Sequence, residues 1–305
     1  MRPSLAHRAE FAAFSTMLAA LRALPWRTAL RVGETVGALG YRPLGVRRGV
    51  VERQIAAAFP DKPPAEVRRL ARAAYEHLGR VAIETALLPA MGPQGVLDLV
   101  AEAPGWEAVE EARAAGQGAI IVTGHIGNWE LGGAYFAARG VPIDVVVRRM
   151  GNPLFDTYLN RTREALGMTV VYDAEAVRRT PRSLKENRAV ALVADQGVRG
   201  LASSFVPFFG RPAKTPRGPA VFAMRLGTPL IHASVLRRPD GHYRLVLERV
   251  PVSLTGDREQ DVDRIVATYA SMLEHWVRLF PEQYFWHHRR WRRQPADTPP
   301  ELREP

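Results

Sequence analysis

The chain has 305 residues, 47% of them hydrophobic, and a formal charge of +11. That is enough apolar material for a sizeable core, which excludes a disordered tail; the absence of cysteine excludes disulfides, thiolate nucleophiles and thiolate-bound zinc. All of the 42 Lys and Arg residues except Lys62, Lys185 and Lys214 are arginine, so the surface suits phosphate and carboxylate, and the candidate partners are anionic membrane lipid, nucleic acid or an acidic carrier protein.

Residues 5–90 read as helix throughout, with periodic stretches at 8–24, 27–38, 44–58 and 65–88. The uncharged run Phe11–Leu21 has 11 residues, whereas spanning a bilayer needs roughly 20. It reads equally as an interfacial helix on the bilayer or as a helix packed on its own domain. The stretch "FPDKPPAEV" marks a turn at Asp61–Pro64, after which Glu66 opens a new helix.

Beyond residue 105 the texture changes to alternating strands and helices. Strands are predicted at Gly118–Thr123, Ile143–Val147, Met168–Tyr172 and Ala189–Asp195, with helices between them. A glycine- and proline-rich loop is expected at 197–216, then a helix over "RGPAVFAMRLG". Two strands, "PLIHASVLRR" and "YRLVLERV", share the short turn "RPDG" and should be antiparallel. A long helix at 258–279 closes the core. The predicted fold is an α/β, αβα sandwich with a mixed, mostly parallel central sheet and a helical N-terminal layer. Residues 1–292 are read as one domain, with 1–90 as the helical layer and 105–292 as the α/β core; 293–305 are read as a disordered tail.

The stretch "GHIGNWE" (Gly124–Glu130) falls where a strand ends and a helix starts, the place where sites form in open α/β sheets. Gly124 and Gly127 let the backbone turn and approach a ligand. His125 and Glu130 are five apart, so they meet only if the loop folds back. A carboxylate on one ring nitrogen would leave the other free to take a proton from an alcohol. The plainer reading is a capping turn with Asn128 as the cap. A metal site lacks a third nearby ligand, and none is expected.

"HIGNWE", "RRMGNPLFD" (Arg148–Asp156), the stretch Ala194–Ala223 and "PEQYFWHHRRW" (Pro281–Trp291) together resemble the lipid A biosynthesis acyltransferase family. That family includes lauroyl and myristoyl transferases and phosphatidylinositol mannoside acyltransferases. The helical stretch Ala58–Leu88 is also similar to its N-terminal layer. The resemblance implies transfer of a fatty acyl group from an acyl carrier protein or CoA thioester to a hydroxyl of a glycolipid such as a lipid A precursor, at the cytoplasmic face of the plasma membrane, by a peripheral or monotopic protein with no bound cofactor. It places a catalytic dyad on His125 and Glu130.

In that reading Glu130 holds the imidazole, and Arg148 with the amides after Gly127 receives the oxyanion. Arg149 meets a lipid phosphate. Asn128, Asp195, Gln196 and Arg217 are further candidates for substrate contact, with capping the alternative at Asn128 and Asp195. The aromatics of "FVPFFG" (Phe205–Gly210) could line an acyl groove or pack the loop. "YFWHHRRWRR" (Tyr284–Arg293) suits an anionic membrane interface, RNA, or a segment folded on the core. A basic nucleic-acid-binding module is the rival of another class. It would use this segment and the charge but leave "GHIGNWE" unused, and no nucleic acid is the preferred expectation. A related hydrolase with water as acceptor is a third reading.

Overall fold

The computed structural model describes residues 3–198 and 200–305. Four helices come first: α1 (Leu5–Arg22), α2 (Trp26–Tyr41), α3 (Arg48–Ala58) and α4 (Pro64–Leu87). Pro64 opens α4 at its first turn, where its missing N–H costs nothing, and Glu66 complements the helix dipole there. Small residues let α2 and α4 lie almost backbone to backbone: a Cβ on Gly79 would sit 2.1 Å from the Gly33 carbonyl oxygen.

The core follows as α5 (Gly92–Leu99), β1 (Val100–Glu102), α6 (Glu107–Ala114), β2 (Ala119–Gly127), α7 (Trp129–Ala138), β3 (Ile143–Val147), α8 (Pro153–Ala165), β4 (Thr169–Tyr172), α9 (Asp173–Lys185), β5 (Ala189–Val193), β6 (Ser203–Phe208), β7 (Arg211–Pro216), α10 (Gly218–Leu226), β8 (Leu230–Arg237), β9 (Tyr243–Arg249) and α11 (Arg258–Leu279). Seven strands form one sheet in the order β1-β9-β8-β2-β5-β3-β4. The five from β8 to β4 are parallel; β9 is antiparallel to β8, as the short turn required, and β1 runs with β9. The apolar residues of α5, α6 and α7 seal one face of the sheet, and those of α9, α10 and α11 seal the other. This is the predicted mixed α/β fold.

Two strand assignments differ from expectation. β1 has three residues and no apolar run to announce it. The region predicted as a loop at 197–216 holds the β6–β7 hairpin, paired Ser203↔Pro216 to Phe208↔Arg211. Its two-residue turn, Phe209–Gly210, takes positive φ at both positions (51° and 71°), the geometry that matches strand twist. Pro207 and Pro212 face each other across the ladder, and these prolines argued for a loop. Inward Ser204, Val206 and Phe208 alternate with outward Phe205 and Pro207.

The C-terminal segment is tied down rather than displayed. Trp286 and Trp291 are fully buried, and Tyr284 and Arg290 nearly so. From α3, the Gln54 amide donates to the carbonyls of Trp286 (2.5 Å) and His288 (2.7 Å) and accepts from the Arg290 N–H (2.6 Å). The segment therefore joins the N-terminal layer to the core, which removes the basis for reading it as an exposed membrane or RNA surface. The stretch 293–305, read above as a disordered tail, is tied to the hairpin and to the segment before it: Gln294 donates to the carbonyls of Pro212 (3.1 Å) and Leu302 (2.7 Å), and Arg289 pairs with Glu304 (2.5 Å).

Candidate active site

β2 is longer than its predicted apolar run. It continues through the motif to Gly127, where its register against β8 shifts. Gly127 has φ 58°, and a Cβ there would lie 1.6 Å from the Val235 carbonyl oxygen. No other residue fits this bend, which turns the chain from strand into α7. Asn128 caps that helix, its side-chain oxygen accepting from the Leu131 N–H at 3.0 Å. Its amide donates to Glu84 of α4 (3.1 Å). With no exposed surface, Asn128 faces away from the cavity and is a structural cap, not a substrate contact. Its own backbone N–H is taken by Val235 (3.0 Å), so that amide cannot serve as an oxyanion donor.

His125 does not bond to Glu130. Its Nδ1 lies 2.7 Å from Asp195 Oδ1, and its backbone N–H donates to Asp195 Oδ2 at 3.1 Å. Asp195 follows β5, the strand paired with β2, and is 2% exposed. Burial alone would raise its pKa. The charge of His125, the bonds from its ring and backbone, and the more distant charge of Arg290 outweigh burial and hold it at about 2. An ionised Asp195 requires the proton on Nδ1, which leaves the Nε2 lone pair free. The Gln196 amide lies 3.2 Å from the same Nδ1, Trp129 packs edge-on at 4.8 Å, and Phe285 flanks the ring at 5.8 Å. The C-terminal segment steadies the strand itself: the Phe285 N–H donates to the His125 carbonyl at 2.9 Å.

Glu130 holds a guanidinium instead. Arg163 of α8 donates to both its oxygens, Nε to Oε2 at 2.9 Å and Nη2 to Oε1 at 2.5 Å, and to Asn160 at 2.9 Å. The sequence reading missed Arg163 because it lies 33 residues from its partner in an ordinary helical stretch. A buried Glu in the first turn of α7 did call for a partner.

His125, Glu130, Arg148, Arg163, Gln196 and Arg217 all line one cavity of about 530 Å³, whose other walls are mostly apolar. Arg148, just past β3, makes no ion pair among the described residues and is exposed at its mouth. Arg149 lies outside the lining, its guanidinium 3.9 Å from the Tyr172 ring centre. Arg217 is already paired with Glu259 (2.7 Å) and Asp263 (3.2 Å). The aromatics of "FVPFFG" are not in the cavity: Phe208 and Phe209 are buried in another cluster with Trp286, and Phe205 faces outward. His287 and His288 are neutral, burial pushing both down to about 4. Among the described residues no cluster of three His, Asp or Glu could hold a metal ion.

A positioned imidazole over an apolar cavity can deprotonate a hydroxyl beside a hydrocarbon chain, but such geometry alone serves more than one chemistry. Comparison with known proteins decides the class. Residues 2–293 match the model of the bacterial lipid A biosynthesis acyltransferase family. The chain belongs to this family. As one of these acyltransferases it is 27% identical, over 90% of its length and 89% of the relative's, to the lipid A biosynthesis lauroyltransferase of Escherichia coli. It is 31% identical to the phosphatidylinositol mannoside acyltransferase of Mycobacterium tuberculosis (75% and 73% covered) and 28% identical to that of Mycolicibacterium smegmatis (75% and 78%). The family resemblance read from the four sequence blocks is thereby borne out, and the protein is an O-acyltransferase.

Proposed function

We propose that this acyltransferase moves a fatty acyl group from a thioester, carried by acyl carrier protein or CoA, to a sugar hydroxyl of a glycolipid, with His125 as general base. The observation that carries the reading is the Asp195–His125 contact, which leaves Nε2 free over the apolar cavity. His125 Nε2 takes the hydroxyl proton as the oxygen attacks the thioester carbonyl. The tetrahedral intermediate collapses, the C–S bond breaks, and the leaving sulfur takes the proton back from the imidazolium. Asp195 orients the ring and stabilises its charged form. Arg163, clamped by Glu130, and Arg148 offer positive charge to the oxyanion or to a phosphate of either substrate. In this scheme Glu130 acts through Arg163.

Contact with an anionic bilayer is part of the proposal. Met150, Val177 and Leu201 are exposed apolar residues that line the same cavity as Arg148. α1 packs nearby, Phe11 and Phe14 resting on Phe155 of α8. An apolar lip with arginine suits the membrane–water boundary. No helix among the described residues is long and apolar enough to cross a membrane, so the association proposed is peripheral or monotopic, at the cytoplasmic face.

The test is incubation with labelled acyl thioester and membrane lipid, repeated with His125→Ala. Labelled glycolipid that disappears in the variant is expected. Free fatty acid as the sole product would favour hydrolysis instead. Neither product, with RNA binding that weakens with salt, would favour the nucleic-acid reading.

A further inference from the structure

His125 lines the substrate cavity, but Asp195 does not. The carboxylate lines a second, much smaller pocket of about 10 Å³, together with Thr215, His232, Tyr269 and Arg290, which has room for no more than one water. Asp195 is 2% exposed and Arg290 3%. Each is a charge taken out of water, and a buried charge needs another to balance it.

Arg290 has no such partner in contact. It makes no ion pair among the described residues. Its hydrogen bonds go to the Lys214 carbonyl and the Thr215 hydroxyl, both neutral. Its Nε has no partner among the described residues. The Phe208 ring, 5.0 Å from the guanidinium, offsets only part of a full charge. Asp195 has the converse need. His125 touches it, but an imidazole that is to act as a base is neutral and does not balance a carboxylate. Tyr284 cannot either: burial, and then the charge of Asp195, hold its phenol well above the ordinary 10, so it stays protonated. His288 is neutral through burial. The permanent cation that shares the small pocket with Asp195 is Arg290.

We propose that Arg290 is the buried counter-charge of the His125–Asp195 pair: it keeps Asp195 ionised while His125 is neutral, and so keeps the ring proton on Nδ1 and the Nε2 lone pair free. Arg290 is a positioning residue that acts through Asp195; it has no place on the substrate cavity. The inference rests on the general-base reading above and deepens it by giving the C-terminal segment an electrostatic part in the chemistry.

The pair titrates as a unit. Its active form, a neutral imidazole with an ionised carboxylate, carries one negative charge, and one further proton neutralises it. A fixed cation favours the negative form. Without that cation the extra proton is held to higher pH. The other groups around the pair are unchanged by substitution at Arg290: Glu130, Arg148, Arg163 and Arg217 at the substrate cavity, Tyr269 of α11 with its hydroxyl on the Pro216 carbonyl, and His232 of β8, 3.8 Å from Glu248.

The test is kcat/KM against pH for the full chain. The probes are a labelled lauroyl thioester, CoA-borne or carrier-borne as the wild type requires, and a synthetic phosphorylated glycolipid. In Arg290→Met the acid limb should move up by about one pH unit. The rate on that limb should then lie about tenfold below wild type and converge on it at high pH. Arg290→Lys keeps the charge and should keep the limb near its wild-type position. Thr215→Val removes an acceptor but no charge; it should lower the urea midpoint and leave the limb in place. If the Met variant does not fold, Arg290→Gln, whose amide can still donate to the Lys214 carbonyl, carries the same test. A loss of rate that is uniform across pH, with the limb unmoved, would overturn the proposal. So would a limb moved equally by Lys and by Met. A wild type that transfers no acyl group, or a His125→Ala variant that transfers at full rate, would instead overturn the general-base reading itself.

Discussion

The end of β2 and the C-terminal segment hold the same kinds of residue: histidine, aromatics and arginine nearby. Around His125, one ring nitrogen is spoken for by Asp195 and the other meets a cavity. Around His287, the ring is wedged between Tyr75 at 4.2 Å and Phe285 at 5.2 Å, with no partner for either nitrogen among the described residues. The first arrangement can do chemistry; the second can only pack. Composition does not separate them, but burial and the partner of one nitrogen do.

That contrast can be broken at its strong end first. His125→Ala should lower acyl transfer by about 10³-fold, while His287→Phe should leave kcat within a few-fold; parallel turnover assays on folded protein check both. Next, Gln54→Leu removes three hydrogen bonds that hold the C-terminal segment and leaves buried polar groups unpaired. It should cost about 3 kcal/mol, read as a lower urea midpoint.

The buried histidines of α4 and of the segment also give stability a pH signature. Burial lowers His77 to about 3 and His287 and His288 to about 4, against an ordinary 6.5. The unfolded chain therefore takes up protons below pH 6.5 that the folded chain refuses. Their stability is intact above 6.5, falls as pH drops toward 4, and stops falling through His287 and His288 once their folded forms also protonate. His287→Phe should remove up to about 1.4 kcal/mol per pH unit from that slope, measured by urea melts between pH 6.5 and 4. The smallest effect belongs to the exposed lip. Arg148→Gln should weaken binding to anionic vesicles by about 1 kcal/mol, a difference that sedimentation at low and high salt should show shrinking with salt.

Much of this was legible in the residues. The apolar runs and intervening helices named the sheet, and "GHIGNWE" at the end of β2 marked its active rim. The hairpin was missed because Pro207, Pro212 and Pro216 outweighed the alternation of Ser204, Val206 and Phe208. The partner of His125 was misassigned for a different reason. Glu130 is near in sequence, but the bend at Gly127 starts α7 and turns Glu130 toward Arg163. Asp195 is 70 residues away from His125, and only the parallel pairing of β2 with β5 brings it there. "YFWHHRRWRR" left a surface and a segment folded on the core both open because arginines usually are exposed; the second holds, Arg290 being buried by donating to the Lys214 carbonyl and the Thr215 hydroxyl, each at 2.7 Å.

The direct test of the proposed chemistry is the steady-state rate of Asp195→Asn in the labelled acyl-transfer assay. The amide keeps the shape but no longer enforces the Nδ1 proton, so kcat should fall by about 10³- to 10⁴-fold with KM changed only a few-fold. A kcat close to wild type would contradict the role given to the His125–Asp195 pair.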